Sequence, residues 1–512
     1  MTAQPEQVPA APAGAYAALE ARFRRCAAIG DALGILQWDS ETLMPPGAAA
    51  GRAEQLAALK VLSHEILTDP RTGALLDEAE AEAARSPLRP WQAANLREMR
   101  RAYRHATAVP ADLVEASSRA VSRCEMVWRE ARPAADFAML LPSLREVLDR
   151  QREVAAAKAE ALGVSLYDAL LDGYEPGGRS ARIDVLFGEL EGFLPDLLPR
   201  VLDAQARRPR PLRPSGPFPV AAQRAVGERL MRIVGFDFGR GRLDVSLHPF
   251  CGGASNDVRL TTRYDESDFT RALMGVLHES GHALYEQGRP AAWIGQPVGE
   301  ARGMVLHESQ SLLVEMQACR SRAFLEFAAP LMREAFGGEG PAWSADAIHA
   351  LYTRVEPGFI RVDADEVTYP AHVILRYRLE KDLISGAMDL ADLPEAWNRG
   401  MERLLGIVPP DDRLGCLQDI HWPGGAWGYF PTYTLGAMAA AQLFDAACRE
   451  EPDVLPGLGR GDFGPLVGWL HRSVHEKASF HPDADSLLAE ATGRPLGASV
   501  YKRHLERRYL EA

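Results

Sequence analysis

The stretch GVLHESGHALYEQG, residues 275–288, contains two histidines four positions apart, with a glutamate directly after the first. At about 100° per residue, His278 and His282 lie one turn apart on one face of a helix, so both imidazoles can reach one metal ion. Glu279 lies about 100° round from His278, where it can act as a general base without binding the metal. The pattern predicts a metal-dependent hydrolase, against the alternative of three polar residues that share a helix by chance.

The residues around this stretch predict one long helix with a buried side. Ser267 or Asp268 can cap its N-terminus, and Gly288 ends it. Just before it, residues 242–264 alternate apolar and polar side chains around a glycine-rich connection, which predicts a β-hairpin or two strands of a small sheet. The apolar residues that seat the helix in a core are Leu273, Met274, Leu277 and Leu284.

A third metal ligand has to come from a second helix. Gly288 occupies the position where a metzincin has its third histidine, which excludes that arrangement. Residues 300–317 predict the second helix, and its candidates are Glu300, His307 and Glu308. Glu308 would complete a set of two histidines and one glutamate that leaves a fourth position open for water, as a hydrolase requires. Spacing alone does not decide between Glu308 and His307.

Composition and charge are those of a soluble globular protein. The 512 residues are 47% hydrophobic and 25% charged, and we expect no membrane segment because no apolar stretch is long enough. The net charge of −13 disfavours a nucleic-acid partner, since phosphate binding needs concentrated basic patches. Six widely spaced cysteines and an N-terminus without the pattern of a secretion signal predict a cytoplasmic location.

The whole chain predicts a mainly α fold with a small β-sheet beside the helix of the opening stretch. Apolar residues recur at helical spacing from about residue 15 to 205, and long helices return after residue 300. Residues 1–14 predict a disordered tail, and residues 15–512 a single domain. The segment RRPRPLRPSGPFP, residues 207–219, predicts a crossing between two lobes at roughly 15–206 and 220–512.

Six sequence blocks, in this order, closely resemble the carboxypeptidase Taq family of metallocarboxypeptidases. They are HPF (248–250), DVRLT (257–261), HESGH (278–282), HESQ (307–310), IRVDAD (360–365) and GCLQDIHW (415–422). Weaker similarity covers nearly the whole chain after the tail. The resemblance implies a saddle-like helical fold with two lobes around a deep cleft, a catalytic zinc ion that cobalt replaces in some members, and a homodimer.

The resemblance also implies roles for residues of the metal helices. The metal-binding glutamate of the family falls at Glu308, with His278 and His282 as the other ligands and Glu279 as the catalytic base. By analogy with related cleft peptidases, the strand before the metal helix is expected to pair with the substrate backbone.

The reaction expected from this resemblance is hydrolysis of the last peptide bond of a peptide, with release of single amino acids and broad specificity. The developing oxyanion needs a donor besides the metal, and His248 and Tyr433 are the first candidates. Tyr429 and His372 are further candidates for contact with the substrate. A free substrate carboxylate calls for a bidentate arginine, and the candidates are Arg361, Arg259 and Arg413, with Arg361 preferred.

Two other functions are compatible with parts of the pattern. A cleft-type oligopeptidase or dipeptidyl carboxypeptidase would use the same ligands with a different carboxylate site. A metal-stabilised helical scaffold would bind peptides without cutting them, but a structural site has four protein ligands and no need of a base such as Glu279.

Overall fold

A computed structural model describes residues 14–511, and most of these residues lie in helices. The predicted tail therefore falls, apart from Gly14, outside the described residues. The proline-rich segment 207–219 contains no helix or strand. The helices before the sheet are α1 (Ala15–Thr42), α2 (Ala49–Thr68), α3 (Pro70–Arg85), α4 (Pro90–Ala108), α5 (Ala111–Ala134), α6 (Phe137–Leu162), α7 (Leu166–Leu171), α8 (Ser180–Ala206) and α9 (Val220–Val234).

Three short strands form one sheet in the order β1-β3-β2, and they are β1 (Gly241–Val245), β2 (Cys251–Ala254) and β3 (Asp257–Thr262). A hairpin is present only between β2 and β3, which are antiparallel, whereas β1 runs parallel to β3. The prediction that a substrate pairs with the strand before the metal helix is wrong. That strand is β3, which lies in the centre of the sheet and is already paired on both edges.

The helices after the sheet complete the fold. Residues Leu313–Cys319 continue α11 as a π-helix, a form that occurs mostly as single turns and often at functional sites. These helices are α10 (Phe269–Gly288), α11 (Gly303–Leu312), α12 (Arg322–Ala335), α13 (Ala345–Tyr352), α14 (Tyr369–Ser385), α15 (Leu393–Leu405), α16 (Pro431–Glu450), α17 (Val454–Leu458), α18 (Gly464–Ser473), α19 (Ala484–Thr492) and α20 (Ala498–Glu506).

The largest hydrophobic core contains residues from Ala120 to Tyr509 and so includes both sides of segment 207–219. Helices α1, α3 and α4 share a separate small core. A third cluster joins the sheet to α9 and α10 through residues such as Leu243, Leu260 and Val276. The division into two lobes at 207–219 stays a prediction. Among residues 14–511, no helix combines the length and apolarity needed to cross a bilayer.

Helix α10 begins and ends where the sequence predicts. The Asp268 side chain accepts a hydrogen bond from the Thr270 backbone N–H at 2.8 Å, which makes Asp268 the N-cap. The helix ends at Gly288, and the four predicted apolar residues of its inner face are buried. Burial of this face fixes the rotation of α10 and thereby the direction of its histidines.

Helices α10 and α11 touch backbone to backbone at Gly281. A Cβ atom at this position would lie 2.3 Å from the Gln310 carbonyl oxygen and 2.6 Å from the Ser311 Cα. Helix α16 approaches from another side, since a Cβ atom at Gly436 would lie 2.8 Å from the Glu308 Cβ. Two glycines therefore allow three helices to converge next to His282 and Glu308.

The substitution Gly281→Ala tests this close contact. We expect it to lower the free energy of unfolding by roughly 1–3 kcal/mol, because the added methyl group forces the two helices apart. Gly275→Ala in the same helix is the matched control, since a Cβ atom there has no neighbour within 4 Å. The control is expected to raise stability by about 0.5–1 kcal/mol. Equal denaturation midpoints for the two variants would contradict the packing argument.

Candidate active site

His278, His282 and Glu308 come together where α10 crosses α11. One ligand atom from each lies within 4.8 Å of the others, and the His282 Nε2 lies 3.5 Å from the Glu308 Oε2. In a tetrahedral site with bonds near 2.0–2.1 Å, neighbouring ligand atoms are about 3.3–3.5 Å apart. The three side chains are buried or half-buried, and they fit a divalent metal with an open fourth position.

Glu315, on the π-helix, is hydrogen-bonded to the His278 ring. Its Oε2 lies 2.9 Å from the His278 Nδ1, which leaves the Nε2 of that ring for a metal. Burial raises the pKa of Glu315, but Arg320 and His278 outweigh it and hold the pKa below its usual value. Glu315 is therefore a carboxylate that accepts the His278 Nδ1–H and orients the ring.

His307 contacts the His282 ring in a similar way. It is not one of the three residues that converge as candidate ligands. The Nδ1 atoms of the two rings are 2.7 Å apart, and the His307 Nε2 lies 3.0 Å from the Glu286 Oε1. If the His307 Nε2–H donates to this carboxylate, its Nδ1 accepts from the His282 Nδ1–H. The Nε2 lone pair of His282 then points toward Glu308. Spacing did not decide between Glu308 and His307, and the structure places Glu308 beside the two histidines.

The charges around this site favour a bound cation. Burial lowers the pKa of His278, but hydrogen bonding to Glu315 and the charges of Glu308 and Glu279 raise it to about 10. His282 has a pKa well below its usual value because it is buried beside His307 and His278. Without a metal, a proton on His278 supplies the positive charge that the surrounding carboxylates require.

Glu279 follows His278 in α10 and lies close enough to His278 and Glu308 for their charges to act on it, but it is not one of the three converging residues. It is only 7% exposed. Burial raises its pKa to about 7; the charge of His278 opposes this shift and that of Glu308 adds to it. A carboxylate with a pKa near neutrality has the proton affinity that a general base needs.

Arg361, Tyr433 and Tyr429 form a second group, which lies close enough to the metal site for the Arg361 charge to act on Glu308. The Arg361 guanidinium lies 4.9 Å from the centre of the Tyr433 ring, and the Tyr429 ring lies 5.1 Å from the Tyr433 ring. The Tyr433 hydroxyl is 3.2 Å from the His421 Nε2. Burial lowers the pKa of His421 to about 4, so this ring is neutral near pH 7.

Asp419 anchors this second group. Its Oδ1 accepts from the Arg361 Nη2 at 2.8 Å, and its Oδ2 accepts from the Arg376 Nε at 2.7 Å. Arg361 is 5% exposed and Arg376 is fully buried, so one carboxylate serves two buried guanidinium groups. The group therefore has a positive charge that Asp419 alone does not balance.

Four predicted residues lie outside these two groups. Arg259 pairs with Asp257 at 2.7 Å and stacks on Trp38, and Arg413 is exposed with a contact of 3.4 Å to Asp411. His372 is fully buried, and burial beside Arg376 lowers its pKa to about 3. His248 is exposed in the loop between β1 and β2.

The sequence interpretation missed the residues that hold the ligands in place. Glu286 lies four residues after His282, and Glu315 lies seven residues after Glu308, so helical spacing placed both on the ligand faces. Asp419 belongs to the QDIHW block, but nothing in its spacing indicated Arg361 or Arg376 as partners. The π-helix that presents Glu315 is itself held by Arg508, which donates to the Met316 carbonyl at 2.6 Å and to Glu366 at 2.9 Å.

Comparison with known proteins gives the family of the chain. Residues 18–509 match the family described as carboxypeptidase Taq (M32) metallopeptidase. Thermostable carboxypeptidase 1 of Thermus thermophilus is 42% identical over 498 residues, which are 95% of this chain and 97% of that protein. The protein of the same name from Pyrococcus furiosus is 35% identical over 495 residues, 96% of this chain and 97% of that protein.

Solved structures agree with the sequence comparison. Trypanosoma cruzi metallocarboxypeptidase 1 superposes with a TM-score of 0.94 at 42% identity, covering 97% of this chain and 99% of that one. The M32 carboxypeptidase of Deinococcus radiodurans R1 gives a TM-score of 0.91 at 36% identity, with the same coverage. The chain therefore belongs to the carboxypeptidase Taq (M32) metallopeptidases, and its activity is that of a metal-dependent carboxypeptidase.

Proposed function

We propose that the protein removes single amino acids from the C-termini of peptides, with His278, His282 and Glu308 as metal ligands and Glu279 as general base. The observation that supports this most directly is the convergence of the three ligand atoms within 4.8 Å, with Glu279 beside them and outside the set. A structural metal site would be expected to have four protein ligands and no adjacent base. Peptides with a free C-terminus are the substrates.

Zinc is the metal we propose, with cobalt as a functional substitute. Two imidazoles, one carboxylate and an open position are typical of catalytic zinc sites. When bound, the metal polarises the scissile carbonyl and lowers the pKa of the attacking water.

Glu279 transfers the proton in this mechanism. Its raised pKa allows the carboxylate to accept a proton from the attacking water and to donate it to the leaving amine. Tyr433 is the first donor that we propose for the developing oxyanion; its hydroxyl lies 3.2 Å from the neutral His421 and also contacts the Tyr429 side chain. His248, in its exposed loop, is the other donor that we propose, and it would reach the substrate from the sheet side.

Arg361 recognises the substrate carboxylate in this proposal. Asp419 is shared by two buried arginines, so an incoming carboxylate supplies the missing negative charge. Tyr429 packs beside Tyr433 and lines the same region. Arg259, Arg413 and His372 have no role here, because the two arginines lie outside this group and His372 is sealed from solvent.

The proposal also includes broad side-chain specificity, a cytoplasmic location and a homodimer. The six cysteines are unpaired thiols, which supports a reducing compartment. The specificity and the homodimer are carried over from the family resemblance.

The substitution Glu279→Gln tests the base. We expect kcat to fall by roughly 10²–10⁴-fold with metal content unchanged, since an amide cannot accept the proton. The assay follows amino-acid release from N-blocked peptides by mass spectrometry, with the exposed Glu266→Gln as control. Wild-type activity in Glu279→Gln would refute the assigned base. Dipeptide products from the wild type would show that the enzyme is a dipeptidyl carboxypeptidase, which does not release single amino acids.

Zinc affinity separates ligands from the residues that orient them. Competition with a chromogenic chelator is expected to show about 10–100-fold weaker binding for His307→Gln and for Glu315→Gln. Glu308→Gln is expected to lose more affinity than either, because it removes a ligand, while the exposed Glu326→Gln serves as control. If His307→Gln lost more zinc affinity than Glu308→Gln, the third ligand would be His307 and not Glu308.

Arg361→Gln tests carboxylate recognition. We expect kcat/KM for peptides with a free C-terminus to fall by roughly 10–1000-fold, the usual effect of removing one partner of a buried charge pair. Peptides amidated at the C-terminus are expected to be cut poorly by wild type and variant alike. Arg413→Gln is the matched control. An equal loss on acid and amide substrates would mean that Arg361 maintains structure without reading the carboxylate.

A further inference from the structure

A pocket separate from the metal site lies between α3, α4, the end of α6 and the segment that joins α7 to α8. Its volume is about 590 Å³, in the usual range for sites that bind small molecules. None of the metal-ligand candidates, and none of the residues of the Arg361 group, lines it. The carboxypeptidase reaction therefore gives no explanation for this pocket.

The pocket wall contains an unusual arrangement of arginines. Arg97, Arg100, Arg101 and Arg104 recur at three- and four-residue spacing along α4, and all four line the pocket. Arg179 lines it from the opposite side. Like charges three and four residues apart on a helix repel one another and destabilise it. Such a stripe needs negative charge close by.

The protein supplies only part of that negative charge. Among residues 14–511, Glu80 and Asp172 are the only acidic residues that line the pocket, against five arginines. Glu80 pairs with Arg100 at 2.8 Å, and Asp172 lies 3.2 Å from Arg101 and 3.7 Å from Arg179. Just outside the lining, Asp77 adds a contact to Arg100 and Glu98 adds one to Arg97.

Arg104 completes the stripe without a partner. Within residues 14–511 it makes no ion pair or hydrogen bond, and it is exposed. Lys158 lies near enough for Arg101 to lower its pKa, in addition to the larger effect of burial. The pocket is thus a local positive region in a chain whose net charge is −13.

The rest of the pocket wall is apolar. Leu88, Leu96, Leu162 and Val164 line it beside the arginines. An arginine fork matches phosphate oxygens in shape and charge, while the aliphatic side chains offer contact to an uncharged body. We propose that this pocket binds a small organic phosphate, with its phosphate on the arginine stripe and its body against these leucines and Val164.

The test is calorimetric titration of the full-length, metal-loaded protein with ADP as probe, at fixed ionic strength. We expect one ADP per chain, weaker binding as salt is raised, and at least about a tenfold loss of affinity in Arg104→Glu. Adenosine lacks the phosphates and inorganic pyrophosphate lacks the organic body, so both are expected to bind more weakly than ADP. Arg129→Glu, on the exposed side of α5, is the matched control and should bind like wild type.

Several results would overturn the proposal. ADP can also bind by chelating the metal, and affinity that is equal in wild type and Arg104→Glu would assign the binding to that source. Pyrophosphate affinity equal to that of ADP would exclude recognition of an organic body, and no heat with any probe would exclude the site. Arg179→Gln repeats the test from the other wall, and thermal unfolding midpoints check that each variant is folded.

Discussion

The backbone contact between α10 and α11 at Gly281 is the constraint on which the site depends. Two ligand candidates lie on one helix and the third on the other, so the separation of the helix axes sets the distances between ligand atoms. A side chain at Gly281 or at Gly436 would occupy the space through which these helices approach. The HExxH spacing thus accounts for two ligands, while small residues at unrelated positions bring in the third.

Electrostatics accounts for much of the remaining arrangement. Glu279, Glu308 and Glu315 surround one imidazole, and such a set of carboxylates is unfavourable unless a cation is present. Because His278 holds a proton in the metal-free protein, metal binding has to displace it. The affinity of the site for the metal therefore rises with pH. In the Arg361 group the excess charge is positive instead, because one carboxylate serves two buried guanidinium groups.

Local sequence signals predicted the parts of the structure that depend on local physics. The cap at Asp268, the end of α10 at Gly288 and the buried face of that helix follow from helix geometry alone. The parallel pairing of β1 with β3 could not be predicted in this way, because the alternating pattern is the same in a hairpin. The depth of a residue in the core could not be predicted either. His372 is an example, because nothing in the sequence around it indicated that the side chain is completely buried.

Residues that support the site were harder to predict than those that form it. Glu315 lay at a suitable helical spacing, but its carboxylate is presented by a π-helix, and single sequences carry no clear signal for one. Asp419 binds two arginines that lie 58 and 43 residues earlier in the chain. Pairings over such separations depend on the packing of whole helices.

The contact between Arg508 and the π-helix joins residues 192 positions apart. A growing chain therefore contains both histidines and Glu308 long before it contains Arg508, which contacts the π-helix that carries Glu315. The contacts that fix the π-helix are therefore completed only when nearly the whole chain has been made, and contacts of such long sequence separation form slowly.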